Sequence, residues 1–224
     1  MKNFSTSLCS TAIRVCFAIG FLYSFFLCVP AMGQHPDVHE ESYHVPIFEW
    51  DCLRFLNVRA NPGDTTAYHI HRNPICYITI HGSEVWLDDA GNDPRRVNLP
   101  DAWVGSDHYN NGDTLLHRFS VVGEDALFII AVERMGPCES SYDKPVGDPF
   151  YSENGFSIYS VDWDTYLNER YDIKFPAIVP PQPIYRAGWA KYEPGYVLQP
   201  VEQGSDHTHM PGVEILWVVT PSNR

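Results

Sequence analysis

The sequence predicts an all-β protein built as a sandwich or a barrel. Short runs of strand-forming residues follow one another from Phe48 onward, and turn residues separate them. No amphipathic helical pattern interrupts the first half of the chain. In addition, residues 126–132 are continuously apolar, which is typical of a strand covered on both faces. This succession of strands favours layered or closed sheets.

Seven strands are predicted in the first part of the chain, each bounded by residues that favour turns. They are Phe48–Val58, Thr65–His71, Cys76–His81, Glu84–Asp88, Arg95–Leu99, Thr114–Val121 and Ala126–Glu133. The segments between them contain Asn, Asp, Gly and Pro, which adopt or preset the dihedral angles of turns. The first such segment is Asn61-Pro-Gly-Asp64.

A second β segment is predicted after a connector at 136–155 that is rich in Gly, Pro, Ser and Asp. Its strands are Phe156–Trp163, Ile184–Glu193, Tyr196–Val201 and Val213–Thr220, with a short helix at Trp163–Arg170. Between this helix and the strand at 184–193, the segment 175–183 contains four prolines. We therefore expect a break there that is not a central strand.

The first 33 residues have the layout of a secretory signal peptide. Lys2 and Arg14 supply positive charge, an apolar stretch covers about 15–29, and Ala31-Met-Gly33 is a cleavage site. The alternative is a transmembrane anchor, because the apolar stretch with its flanks approaches spanning length. The short stretch ends at Pro30 and favours cleavage, which predicts a secreted or periplasmic protein with no stable membrane span.

Residues 34–46 form a polar leader that contains His35, His39 and His44. These imidazoles could bind a metal as a flexible tail. We expect instead a solvated segment, because nothing in the sequence holds the rings in place.

Cleavage would leave about 190 residues, enough for one sizeable core. Lys2 and Arg14 would leave with the leader, so 13 basic residues would face 28 acidic ones, a net charge of −15. This charge disfavours nucleic acid and anionic membranes as partners. Of the three remaining cysteines, Cys52 and Cys138 could form a disulfide in an oxidising compartment, with Cys76 left free.

The best indication of function is the pair His69 and His71 on one predicted strand. Residues i and i+2 of a strand point to the same face, so both imidazoles can be aimed at one point. Two neutral imidazoles on a rigid strand form half of a metal site. Of the other histidines, His81 is interpreted as a turn residue and His108 as a loop residue.

The segment around this pair resembles the first motif of the cupin superfamily. Five residues separate Gly63 from His69-Ile-His71, and Gly82 closes the motif. The second motif is matched loosely by Gly112 followed by His117. The resemblance covers about 47–135 and implies a double-stranded β-helix, or jelly-roll barrel, in which His69, His71 and His117 hold one divalent metal. Three imidazoles suit Fe, Mn, Ni, Cu or Zn, so the identity of the metal is open.

The sequence departs from the cupin motif at its glutamate, where Ile75 and Cys76 stand instead. A three-histidine site therefore remains, with or without the Cys76 sulfur. Three histidines and a cysteine at this spacing resemble the cupin thiol dioxygenases, whose cysteine is cross-linked to a tyrosine. Residues 126–133 contain no tyrosine, so a small core residue is the favoured interpretation of Cys76.

Near the C-terminus, His207, His209 and Glu214 repeat the cupin His-x-His and glutamate spacing. They predict a second metal-ligand set within a partial second cupin module at 156–224. Only ten residues follow Glu214, so no third histidine from a second motif follows it. The module is incomplete, is completed by strands of the first half, or is a degenerate bicupin.

Three functional hypotheses follow. The first is a metal-dependent enzyme, an oxidoreductase such as a dioxygenase or a lyase, that acts on a small organic molecule. The second is a non-catalytic module that binds a metal or a small ligand. The third is a structural barrel whose histidines are buried polar groups. The resemblance also implies a homodimer, because cupins commonly exchange edge strands.

Overall fold

The computed structural model describes residues 35–109, 112–138, 147–162, 176–181, 195, 197–198 and 215–222. A 3-10 turn at Val38–Glu40 comes first. The strands that follow are β1 (His44–Trp50), β2 (Leu53–Ala60), β3 (His69–His71), β4 (Ile75–His81), β5 (Ser83–Asp89), β6 (Arg95–Leu99), β7 (Val104–Asp107), β8 (Leu115–Val121) and β9 (Leu127–Arg134). Later strands are β10 (Tyr151–Glu153), β11 (Phe156–Asp162), β12 (Ala177–Ile178), β13 (Val197–Leu198) and β14 (Ile215–Pro221).

The first nine strands form two antiparallel sheets that face each other. One sheet has the order β1-β2-β9-β4-β7 and the other has the order β3-β8-β5-β6. Apolar side chains of both sheets fill the space between them, among them Val58, Ile129, Val85 and Phe119. The prediction of an all-β, cupin-like jelly roll is therefore confirmed.

A third antiparallel sheet, β10-β11-β14-β12-β13, covers the outer face of the larger sheet. Strand β9 shows both contacts: Leu127, Ile129 and Ala131 face the barrel interior, whereas Ile130 and Val132 pack against the third sheet. The continuous apolar run at 126–132 thus belongs to a strand that is buried on both faces, as predicted. The predicted domain boundaries and the partial second cupin module stay predictions.

Most predicted strands of the first half have the expected bounds. Strands β4, β5, β6, β8 and β9 each begin and end within one residue of their predicted ends. The turn between β4 and β5 explains the closing glycine of the motif, because a Cβ atom at Gly82 would lie 2.1 Å from the Leu99 carbonyl oxygen. A side chain at this position is therefore excluded.

Two predicted strands have different bounds. Residues 48–58 are not one strand, because β1 and β2 form a hairpin that turns at Asp51 and Cys52. Asp51 has a φ of 49°, which lies in the left-handed region. No Gly or Asn marks this turn in the sequence, so the hairpin was not predicted. The strand predicted at 65–71 is reduced to β3, with Thr65 in an isolated bridge to Ser120.

The proline-rich break was expected to lie outside the sheet centre, and this expectation is wrong. Strand β12 lies between β14 and β13, with Ala177 paired to Val218 and Ile178 paired to Trp217. The strand consists of only these two residues, so the neighbouring prolines do not have to donate ladder hydrogen bonds. The predicted leader at 1–33, helix at 163–170 and strand at 184–193 lie outside the described residues.

A disulfide joins Cys52 to Cys138 across 86 residues of sequence, as the cysteine pattern suggested. Cys76 is free and fully buried among the residues between the larger sheet and the third sheet. Its interpretation as a small core residue is confirmed. Among the described residues, no helix is long and apolar enough to cross a membrane.

Candidate metal centre

Neighbouring strands of the smaller sheet bring three of the predicted ligands together. His69 on β3 is directly opposite His117 on β8, and His117 is in turn opposite Asp89 on β5. His71 lies two residues beyond His69 on the same strand, so its side chain points to the same face. All three imidazoles are buried at the barrel interior.

The three rings converge on one small volume. Their ring centroids are 4.6 Å apart for His69 and His117, 4.7 Å for His71 and His117, and 5.0 Å for His69 and His71. The Nε2 atoms of His71 and His117 are 2.9 Å apart, and one potential ligand atom from each residue lies within 4.8 Å of the others. Coordinating nitrogens of a single metal ion are spaced at this order of distance.

Burial keeps the three imidazoles uncharged at neutral pH. Burial, together with the neighbouring His44, lowers the pKa of His69 to about 4. Burial, together with His69 and His44, lowers the pKa of His117 to about 3. Burial also places the pKa of His71 well below its ordinary value. The neighbouring His117 and His69 lower this pKa as well, because a proton on one ring disfavours a proton on the next. Neutral imidazole is the form that binds metals.

A hydrogen bond behind the ring orients His69, and a carboxylate lies behind the ring of His117. The Nδ1 atom of His69 is 2.9 Å from the carbonyl oxygen of Ala67, so it donates a hydrogen bond there and leaves Nε2 as a potential ligand. That Nε2 atom is buried and has no hydrogen-bond partner. The Nδ1 atom of His117 is 3.6 Å from a carboxylate oxygen of Asp89. A backbone carbonyl and a carboxylate are common supports of metal-binding histidines.

The position of the missing cupin glutamate is apolar. Ile75 faces the barrel interior and is fully buried, whereas Cys76 faces the opposite side of its strand. The expectation that the Cys76 sulfur could belong to the site is therefore wrong, because alternation along β4 turns it toward the third sheet. A cross-link of the thiol-dioxygenase kind has no basis at this position.

Two further residues of the site were missed in the sequence. His44 and Glu41 are buried, and the Nδ1 atom of His44 is 2.8 Å from a carboxylate oxygen of Glu41. The expected solvated leader is therefore wrong for this segment, since Val38 is also buried in the barrel interior. The available signal was a glutamate three residues before a histidine, immediately ahead of the first strand.

The carboxylate of Glu41 is held in its ionised form. Burial raises its pKa, but hydrogen bonds from His44 and from the backbone N–H groups of Tyr43 and Ala67 outweigh this effect and lower the pKa to about 2. Ala67 therefore donates its N–H to Glu41 while its carbonyl accepts from His69. The backbone of one residue, Ala67, thus connects the carboxylate to the histidine on β3.

A cavity of about 420 Å³ opens beside the imidazoles. His44, His71 and His117 line it at one end. Most of its wall is aliphatic or aromatic and includes Val58, Val85, Leu87, Val97, Leu99, Leu115, Phe119, Leu127 and Ile129. Its volume lies within the range of small-molecule sites, so it can hold a small organic molecule next to the rings.

Two tyrosines that line the same cavity lie near His71. The ring centroids of Tyr77 and Tyr109 are each 6.3 Å from the His71 ring. Burial raises the pKa of both tyrosines, and the nearby Asp107 carboxylate raises them further, so both hydroxyls are protonated. The Tyr109 hydroxyl is buried close to Tyr77 and Asp107. The cavity therefore presents protonated phenol hydroxyls to a bound molecule.

The remaining predicted histidines are placed as follows. His81 is exposed at the end of β4, and His108 is exposed after β7, so neither joins the triad. His81 is the last residue of β4, opposite Phe128, and not a turn residue. The predicted second set of His207, His209 and Glu214 lies outside the described residues.

The chain was compared with known proteins. No family model matches it, and no curated protein matches it. The solved structures that it resembles include a cupin domain from Bordetella pertussis, which is 11% identical with a TM-score of 0.36 over 46% of this chain and 98% of that chain. An RmlC-like cupin with a double-stranded β-helix fold from Methanocaldococcus jannaschii is 12% identical with a TM-score of 0.33, over 40% of this chain and 75% of that chain.

Another resembling structure is the DMSP lyase DddQ from Ruegeria pomeroyi. It is 20% identical with a TM-score of 0.30, and the match covers 41% of this chain and 42% of that chain. Two of these three structures are described as cupins. Fold and site together define a cupin-like barrel with a buried cluster of imidazoles beside a cavity.

Proposed function

We propose that this protein is an exported, metal-dependent enzyme that acts on a small organic molecule. His69, His71 and His117 hold one divalent transition metal at the inner end of the cavity. The observation that carries this proposal is the convergence of three buried, uncharged imidazoles beside a cavity that is large enough for a substrate.

The donor set fits such a metal. Burying three imidazoles costs free energy unless their polar atoms find partners, and His69 Nε2 has none among the residues that the structure describes. Between His71 and His117 only one N–H···N hydrogen bond can form, since both face each other through Nε2. A cation would use all three nitrogens at once. Borderline ligands of this kind suit Fe, Mn, Ni, Cu or Zn.

The cavity selects the class of substrate. Its walls are mainly apolar, so the body of the substrate is apolar, and its polar end lies near the imidazoles and the two tyrosines. When bound, the metal supplies a Lewis acid with open coordination positions. Tyr77 and Tyr109 donate hydrogen bonds to an oxygen of the substrate, because their hydroxyls remain protonated. The apolar walls exclude water from the reacting end.

An enzyme is favoured over a passive metal-binding module because the cavity adjoins the imidazoles. A storage or structural metal site is closed by protein ligands, whereas a catalytic site keeps positions open to a substrate. The reaction class stays between an oxidoreductase and a lyase. The homodimer and the C-terminal set of His207, His209 and Glu214 stay predictions.

Export is part of the proposal. The layout of residues 1–33 supports it, and the Cys52–Cys138 disulfide is compatible with an oxidising compartment. N-terminal sequencing of the protein recovered from the culture medium or the periplasm should begin close to Gln34. Recovery only in the cytoplasm with an intact N-terminus would contradict export.

The metal is tested by elemental analysis of the purified protein, followed by reloading of the metal-free protein with each candidate ion. We expect about one equivalent of a transition metal. The variant that combines His69→Ala and His117→Ala should lose it, whereas His81→Gln, at an exposed position, should keep it. Absence of any stoichiometric metal in the wild-type protein would refute the proposal. Oxygen uptake and product analysis with the loaded protein then distinguish an enzyme from a binding module.

A further inference from the structure

His44 is placed like a ligand although it belongs to neither cupin motif. It begins β1 of the larger sheet, whereas the triad comes from the smaller sheet. Its ring centroid is 4.4 Å from that of His69, which is shorter than any separation within the triad. Two imidazoles that bind one ion at right angles, with nitrogens at about 2.1 Å, have ring centroids roughly 4.6 Å apart.

Glu41 decides which nitrogen of His44 is available. The Nδ1 atom of His44 is 2.8 Å from a Glu41 carboxylate oxygen, and the His44 backbone N–H donates to the Glu41 carbonyl at 2.9 Å. The imidazole is therefore held at its ring and at its backbone. Nε2 remains for a ligand, and His44 lines the cavity. A carboxylate that holds the far nitrogen is the usual support of a metal-binding histidine.

The same carboxylate also supports His69. Its other oxygen accepts from the Ala67 N–H at 3.1 Å, and the Ala67 carbonyl lies 2.9 Å from the His69 Nδ1 atom. One buried glutamate thus orients two imidazoles, His44 directly and His69 through the backbone of Ala67.

We propose that His44, oriented by Glu41, is a fourth protein ligand of the metal, so that the centre has four histidines in place of three histidines and a glutamate. This inference rests on the proposed function. The position of the cupin glutamate is occupied by Ile75, which has no donor atom. His44 supplies a donor from the opposite sheet, and Glu41 supplies the negative charge from behind it.

Binding requires a small inward movement of His44. The potential ligand atoms form two sets within 4.8 Å, one of the triad and one of Glu41, His44 and His69, so His69 is common to both. The His44 and His71 ring centroids are 6.4 Å apart. A shift of His44 toward the triad on metal binding completes the shell.

The proposal is tested with Cu(II) as the probe, because it binds nitrogen ligands most tightly of the divalent ions. Electron spin-echo modulation from the remote ring nitrogens counts the bound imidazoles in the wild-type protein without any substitution. A competing chelator gives the affinity. The variants are His44→Gln and Glu41→Gln, with His81→Gln as a control at an exposed histidine.

We expect four imidazoles in the wild-type protein and three in His44→Gln, with an affinity at least tenfold lower in that variant. Glu41→Gln should retain four imidazoles and bind about 10–100-fold more weakly, because it removes a support and not a ligand. The control should match the wild type. Three imidazoles in the wild-type protein, or an unchanged count in His44→Gln, would overturn the fourth ligand while leaving the triad intact. A wild-type protein that binds no copper and no other candidate ion would overturn the proposed function itself.

Discussion

Acid should destabilise the metal-free protein through its buried histidines. In the unfolded chain His69 takes up a proton near its ordinary pKa of 6.5, whereas in the folded protein it does so only near 4. Between these two values the unfolded state binds more protons, so the free energy of unfolding falls as the pH is lowered. His117, with a pKa of about 3, acts in the same direction.

The magnitude follows from the pKa difference. For His69 alone, the change from 6.5 to about 4 corresponds to about 3 kcal/mol of unfolding free energy. His117 adds to this loss, although the contributions of interacting rings are not additive. A typical domain has a free energy of unfolding of about 5–15 kcal/mol, so the contribution of His69 alone is a large fraction of the total. The stability that Glu41 contributes is present above pH 4.5 and is lost only as the pH falls from 4.5 toward 2, because its pKa is lowered from 4.5 to about 2 on folding.

Urea unfolding of the metal-free protein at several pH values from 7 to 4.5 measures this effect apart from Glu41. The free energy of unfolding should decrease steadily across the range, and His69→Asn should have a shallower slope. His81→Gln should keep the wild-type slope, because its side chain is exposed. A free energy of unfolding that does not change between pH 7 and 4.5 would refute the burial of neutral imidazoles. Bound Zn(II) should raise stability at pH 7 and make its pH dependence steeper, since protons compete with the metal.

Three other outcomes are expected. Removing the disulfide by Cys52→Ala with Cys138→Ala should lower stability by about 2–5 kcal/mol in urea unfolding, since the bond closes a long loop; a loss below 1 kcal/mol would contradict this. Cys76 should resist alkylation in the native protein and react in denaturant, because burial raises its pKa; rapid native labelling, followed by mass spectrometry, would show that it is accessible. Gly105→Ala should displace the Trp103 ring from the cavity, because a Cβ atom there would lie 2.3 Å from it; an unchanged tryptophan fluorescence spectrum would argue against this contact.

Strand alternation and turn residues predicted most of the barrel. Strands β4 to β6, β8 and β9 have local patterns that already match their final environment. Strand β7 (Val104–Asp107) was missed because its sequence, Val-Gly-Ser-Asp, has weak strand propensity. It is a strand because it pairs with β4, with Val104 opposite Ile78 and Asp107 opposite Ile75. Pairing of this kind depends on residues distant in sequence.

Only part of the candidate site was predicted, again because the rest depends on residues that are distant in sequence. His69 and His71 lie on one strand, so their common direction follows from the period of a strand. The place of His117 beside them required the cupin resemblance. His44 and Glu41 have no such local pattern, because their burial depends on how residues 38–44 pack against the barrel.

The sequence alone determined the all-β class and the pair of imidazoles on one strand, because both follow from patterns that repeat every two residues. It also suggested the Cys52–Cys138 disulfide, which the structure contains. Only the tertiary structure decided that Cys76 faces away from the site and that the Glu41–His44 pair faces into it. Those directions are set by contacts between separate sheets, which a local pattern does not contain.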